Sequence, residues 1–470
     1  MLRCARLTAI VLLAGLLAAS GCSRSSTSSN TGLGGSSSTT VAPGSANVAD
    51  ANFGTLHDVC GPNKTGKALT ASDRGVTPSQ ISLTTISDPG FVGRPGLDQE
   101  LFDASTVFTK WCNSLGGING RKIKDNLRDA ALTNYKQKVL EGCSTDFAMV
   151  GGGGVFDDAG QSARLNCLLP DYPGYVVSSQ ARGADLVVQA IPNALDNVNV
   201  GSDRYVAATF PTSTSKVGYL TGNIPATMLT KGQFQEAGKQ LGWKTIYDAQ
   251  YNAAGESTWT PFAQAVASKG VKGLVFVGEP CNLAKLEQAF STIGYYPDWI
   301  LVTSNFYDKS LITQGGSALK NTYVALLNPP YTSTAQVPGL AKYFALFQKY
   351  LPNGKSQAVL GLDSFSAWLL FARAAQECGV DLTRKCVYDH AKAITSWDGG
   401  GLTAPANPGK GLEPTCYTVM KAEPSGFTIA GVKTNNGPYN CDPKNAVTLK
   451  GNYGHGTTLA SVGKSMADLP

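Results

Sequence analysis

From about residue 79 to residue 304 the chain alternates short apolar runs with segments of helical periodicity, and this alternation limits the possible folds more than any other feature. The apolar runs are QISLTTIS, DFAMV, GYVVSS, KVGYLTG, KTIYDAQY, KGLVFVG and DWILVTS. Between them lie segments such as GLDQELFDASTVFTKWCNSLG, where Leu97, Leu101, Phe102, Val107, Phe108 and Trp111 recur at helical spacing. Strands alternating with helices of this length predict parallel sheets with helices on both faces. There are too many units for one sheet, and the pattern resets near residues 190–216, which predicts two doubly wound lobes. Beyond about residue 335 the chain becomes helical and then ends in hairpin-like segments and a polar tail.

The N-terminus reads as an export signal. Arg3 and Arg6 precede the apolar LTAIVLLAGLLAAS, which is too short to be expected to span a bilayer. AASGC then resembles a bacterial lipobox cut before Cys22, which would carry the lipid. The Ser/Thr/Gly-rich stretch after it has few apolar groups to bury and predicts a flexible tether. The domain reading is therefore signal peptide 1–21, lipid anchor and linker 22–77, lobe 1 from 78–194 plus 331–410, lobe 2 from 195–330 plus 411–450, and a polar tail 451–470. The expected location is extracytoplasmic, lipid-anchored to a bacterial cell membrane. Charged residues are only 15% of the chain and the net charge is +6, without any Lys/Arg block that would mark a nucleic-acid partner.

An exported chain favours paired cysteines. Of the eleven, Cys4 and Cys22 belong to the signal and anchor. Cys378 and Cys386 join a helix end to the next helix start, and Cys416 and Cys441 flank a hairpin. Cys112 and Cys143 lie late on two successive helices, a third expected pair. Cys60 with Cys167 is a weaker fourth, and Cys281 is then left free. No CxxC occurs, which argues against a zinc site or a redox motif.

The sequence AMVGGGGVFDDAG, residues 148–160, places four glycines between a strand and a helix. Exposed N–H groups in such a loop can hold an anion. A phosphate loop, however, needs Lys and Ser/Thr after the last glycine, and here VFDD follows. Asp157 and Asp158 would repel a phosphate. A ligand carboxylate, a carbonyl or simple close packing all remain open. GPNKTGKA, residues 61–68, nearly matches a phosphate loop, but Ala68 stands where Ser/Thr is required and no apolar strand precedes it.

QISLTTISDPGF, a helix and then WCNSLGGINGRKIK resemble the opening of the Leu/Ile/Val-type (branched-chain amino acid) periplasmic binding proteins of type 1 fold. KVGYLTGN, GVKGLVFVGEP and DSFSAWLLFARAA fall where that family opens its second lobe, places a lobe-two loop and begins a long late helix. The resemblance implies two Rossmann-like lobes joined by three crossings, placed near 191–198, 325–332 and 408–416. It further implies a monomeric, ligand-binding partner of ABC importer membrane subunits, with a small polar ligand in the cleft and lobe closure as the signal. Lobe-one contacts map to Gly154, Val155, Phe156, Ser178 and Ser179. Asp88, Pro89 and Phe91 fall at the cleft mouth. Lobe two offers Asn223, Pro225, Glu279, Asn305, Phe306 and Tyr307, and the late helix Leu360 and Asp363. Pro225 and Asn305 stand near the family's ammonium-holding tyrosine and glutamate. An amide- or carboxylate-like ligand is therefore as well allowed as an amino acid.

No catalytic residue, metal site or cofactor is expected. The three histidines, His57, His390 and His455, all avoid the strand ends, and no GxSxG or HExxH occurs. The alternatives are a ligand-presenting partner of a separate sensor, or a hydrolase using carboxylates among Asp88, Asp157, Asp158 and Glu279.

Overall fold

The computed structural model describes residue 47 and residues 49–470. The expected signal peptide and the Cys22 anchor lie outside the described residues. Lobe 1 is built from β1 (Gln80–Ser87), α1 (Gln99–Ser114), β2 (Lys122–Asp129), α2 (Tyr135–Thr145), β3 (Ala148–Val150), α3 (Gln161–Asn166), β4 (Asp171–Tyr172) and α4 (Ser179–Arg182). Its strands form a parallel sheet in the order β2-β1-β3-β4. The strand expected at GYVVSS is a loop, and the two-residue β4 just before it takes its place beside β3.

The chain then crosses through β5 (Asn197–Asn199) and α5 (Gly201–Thr209) into lobe 2. There follow β6 (Val217–Gly222), α6 (Pro225–Gln240), β7 (Thr245–Tyr251), α7 (Thr260–Ser268), β8 (Gly273–Val277), α8 (Pro280–Ile293), β9 (Trp299–Val302), α9 (Lys309–Gly315) and β10 (Thr322–Leu326). It returns to lobe 1 for α10 (Pro338–Tyr350), α11 (Val359–Glu377) and α12 (Arg384–Ala393). It re-enters lobe 2 as β11 (Cys416–Glu423), β12 (Gly426–Ile429) and β13 (Asn440–Cys441), and β14 (Ala446–Thr448) pairs with β5. The large sheet runs β12-β11-β10-β9-β8-β6-β7. β6 to β10 are parallel, and β11 and β12 add an antiparallel edge. β6, β8 and β9 are buried along their whole length, which is why they read as unbroken apolar runs.

The lobe 1 core centres on α11, buried on nearly every face. Phe108 of α1 stacks on Trp368 with ring centroids 5.2 Å apart. Phe53 joins the same cluster at 5.1 Å from Phe365. Residues 51–77, expected to be tether, therefore pack into lobe 1 from Phe53 onward: Phe53, Val59, Cys60 and Val76 are buried and supply the apolar groups that a tether lacks. The GGINGRKI turn explains itself structurally. Fully buried Arg121 donates to the carbonyls of Thr77, Thr70 and Val380, at 2.9–3.1 Å, joining this segment to the end of α11. Gly61, in the near-miss phosphate loop, pairs with Gly117 and Gly120 of the same turn.

The disulfides correct two expected pairs. Cys60 bonds Cys112 and Cys143 bonds Cys167, in place of Cys112–Cys143 and Cys60–Cys167. The physical reason is the packed N-terminal segment, which brings Cys60 onto α1, while α2 faces α3 and brings Cys143 to Cys167. Cys378–Cys386 and Cys416–Cys441 are bonded, and Cys281, expected free, is disulfide-bonded too. Residues 451–470 are more than a polar tail. They leave lobe 2, where the Tyr453 hydroxyl donates to Glu236 at 2.7 Å, and reach lobe 1, where Leu459 and Leu469 are buried with Leu165 and Leu186. The chain thus passes between the lobes a fourth time.

Candidate functional site

The C-terminal strand ends of both parallel sheets face each other, as open α/β sheets arrange their ligand sites. Between them lies a cavity of about 320 Å³, at the small end of the roughly 300–1,000 Å³ usual for organic ligands. Much of its lining is apolar, with Val176 and Val177 from lobe 1 and Ile224, Val277 and Leu326 from lobe 2. Ile191 and Pro192 of the first crossing close one side.

The charged lining is mostly acidic. Asp98 and Glu100 enter from the start of α1, Glu279 from the start of α8, Asp363 from α11 and Glu413 from the last crossing, with Arg182 as the cation. Arg94 of lobe 1 reaches across to ion-pair with Glu279 of lobe 2. Arg182 of lobe 1 donates to Gln233 at 2.6 Å and Thr230 at 3.0 Å, both on α6 of lobe 2. These two contacts hold the lobes together at separate points around the cavity.

Burial sets the ionisation. Asp98 is pushed up to about 7 by burial, by Glu100 and by Glu279, against the Tyr175 hydroxyl that donates to it at 2.7 Å. Asp363 is pushed up to about 7 by burial, offset by Asn328 donating at 2.7 Å. Burial likewise raises Glu413 to about 7 and lowers Arg182 to about 10.

Of the residues expected to touch ligand, Val155, Glu279, Asn305 and Leu360 line the cavity, as does Asp363. Asn305 also ties two lobe 2 loops, donating to the Gly278 carbonyl at 2.9 Å. Asp88, Phe91, Gly154, Phe156, Ser178, Ser179, Asn223 and Tyr307 do not line it. Asp88 spends both oxygens on the N–H groups of Leu132 and Val155, at 2.7 and 3.1 Å. Phe91 folds over Gly93 in its own loop. Ser178 caps α4 by accepting from Ala181. Ser179 lies under Gly454 of the tail. Asn223 is exposed and accepts from Ala253. Tyr307 is buried, stacked on Tyr331 at 4.0 Å. Phe156 is half-buried ahead of the short turn at Asp157.

The four glycines resolve to close packing. A side chain at Gly151 would meet the Trp368 ring, at Gly152 the Ile86 backbone, at Gly153 the Tyr175 ring and at Gly154 the Tyr135 ring, each within 2.4–2.7 Å. Sequence reasoning missed Asp98, Glu100, Tyr175, Arg182 and Glu413. The first two sit inside an amphipathic helical stretch, where carboxylates read as solvent-facing.

Two doubly wound lobes, sharing a cleft and joined by crossing segments, define the type 1 periplasmic-binding class, and this chain has that fold. A family model described as periplasmic binding protein matches residues 202–426. Among solved structures, a fatty acid ABC transporter substrate-binding protein from Thermomonospora curvata aligns with TM-score 0.67 and 16% identity, over 80% of this chain and 96% of that one. A leucine binding protein from Thermotoga maritima aligns with TM-score 0.62 and 13% identity, over 78% and 99%. A branched chain amino acid ABC transporter protein from Thermus thermophilus with bound valine aligns with TM-score 0.59 and 13% identity, over 76% and 97%. A sequence search of curated proteins returns no match.

Proposed function

We propose that the protein is the extracytoplasmic substrate-binding component of an ABC importer, holding a small organic ligand between two closing lobes and tethered through lipid on Cys22. It binds and does no chemistry on its ligand. The observation that carries this reading is the cavity between opposed strand ends, bridged by two sets of polar contacts, Arg94–Glu279 and Arg182 with Gln233 and Thr230. Such contacts part without exposing either lobe's core, so open and closed states can exchange and a ligand can shift their balance. The solved proteins above are named for fatty acid, leucine and valine, all molecules with an apolar body and a charged head, and the apolar lining of this cavity suits such a body.

The test is a thermal-melt panel of amines, amino acids, carboxylates, amides and sugars on the full chain and on Val277→Trp. A ligand at 100 times its Kd adds about 2.7 kcal/mol of stability. The wild type is expected to gain stability with one chemical class, and the filled cavity to lose that gain. A gain of equal size in Val277→Trp puts the ligand elsewhere.

A further inference from the structure

We infer that the ligand's charged head is a cation bearing N–H donors, an organic ammonium attached to an apolar body, and not a carboxylate. This rests on the cleft being the ligand site, and narrows its occupant.

Two observations carry it independently. The first is that lobe 1 already fills its own anion receptors. The backbone N–H groups of Val177 and Ser178 donate to the Asp157 carboxylate at 2.8 and 3.1 Å, and that of Val155 donates to Asp88. These are the loops after β3 and β4, where free N–H groups would be needed to hold a ligand carboxylate. With Asp157 and Asp88 in place, an incoming carboxylate meets negative charge and committed donors.

The second is the acid left over inside the cavity. Glu279 has Arg94, Glu100 faces Lys355 at 3.9 Å, and Glu413 lies in the field of Arg182. Asp98, which shares the field of Arg94 with Glu279, and Asp363 make no ion pair of their own among the described residues, and both are more than nine-tenths buried. Each accepts one hydrogen bond from a neutral donor, the Tyr175 hydroxyl or the Asn328 amide, and each lines the cavity. A buried carboxylate without a cation is costly, and a bound ammonium removes that cost for both. Val176, Val277 and Leu326 then cover the apolar body.

The experiment titrates the full chain with matched six-carbon compounds, hexylamine, hexanoic acid and hexanol, alongside leucine, reading melting temperature and calorimetric Kd. Hexylamine is expected to bind at least ten-fold more tightly than hexanoic acid. Asp98→Asn and Asp363→Asn are each expected to weaken hexylamine at least ten-fold, and to leave hexanol unchanged; the ligand-free melt of each variant checks that it folds. Tighter binding of hexanoic acid or leucine overturns the cationic head, and keeps the cleft if Val277→Trp abolishes that binding. Silence from hexylamine in the wild type also overturns it.

Discussion

Gly151 shows how a single residue fixes the packing of the lobe 1 core. Its φ is +68°, and an added Cβ would lie 2.4 Å from the Trp368 ring nitrogen, in the middle of the lobe 1 core. Both the left-handed backbone and the contact penalise any side chain. Gly151→Ala is expected to destabilise the fold by roughly 2 kcal/mol or more, measured by urea unfolding. Asp157 is the polar counterpart. It is pushed up to about 6 by burial, yet its two backbone donors hold it in place. Asp157→Ala leaves those N–H groups without their acceptor, an expected loss of about 1–3 kcal/mol in the same measurement. The pair of aspartates in VFDD read from sequence as a helix start; the fold uses Asp157 instead to bind the next loop, a tertiary contact that no local pattern encodes.

At the scale of elements, the βα alternation was legible because β6, β8 and β9 are buried on both sides and α1 carries its large apolar residues at helical spacing, and both habits leave traces in the sequence. The N-terminal segment was not legible. Phe53, Val59 and Cys60 are isolated apolar groups in a polar stretch, and they find partners only in the assembled lobe 1 core. The same blindness misassigned the disulfides, since the Cys60–Cys112 link depends on that docking. Disulfide mapping by mass spectrometry is expected to recover Cys60–Cys112 and Cys143–Cys167 in linked peptides; recovery of Cys112–Cys143 would refute the docked segment. With a sequence separation of 52, the first link should contribute about 4 kcal/mol by chain entropy. The Cys60→Ser/Cys112→Ser variant should therefore melt well below the parent.

Across the whole molecule, buried acids are unusually many. Burial pushes Asp98, Asp125, Asp171, Asp203, Asp363 and Glu413 up to about 7 and Glu287 to about 8. For an acid raised in the folded state, the stabilising contribution is full below its unfolded value near 4 and is lost as pH rises through the folded value. Lys342, lowered to about 8, titrates above most of this window. Melting temperature is therefore expected to fall as pH rises from 5 to 8, and a rise would contradict the dominance of burial over their partners at these groups. What defines the proposed function, however, is that two lobes shut on a ligand held between them. X-ray scattering from the full chain, before and after saturation with the panel compound that raises its melting temperature most, tests it directly. The radius of gyration is expected to fall on saturation, and Val277→Trp to abolish the fall together with the melting shift. Binding that leaves the scattering unchanged, and that survives in Val277→Trp, would contradict it.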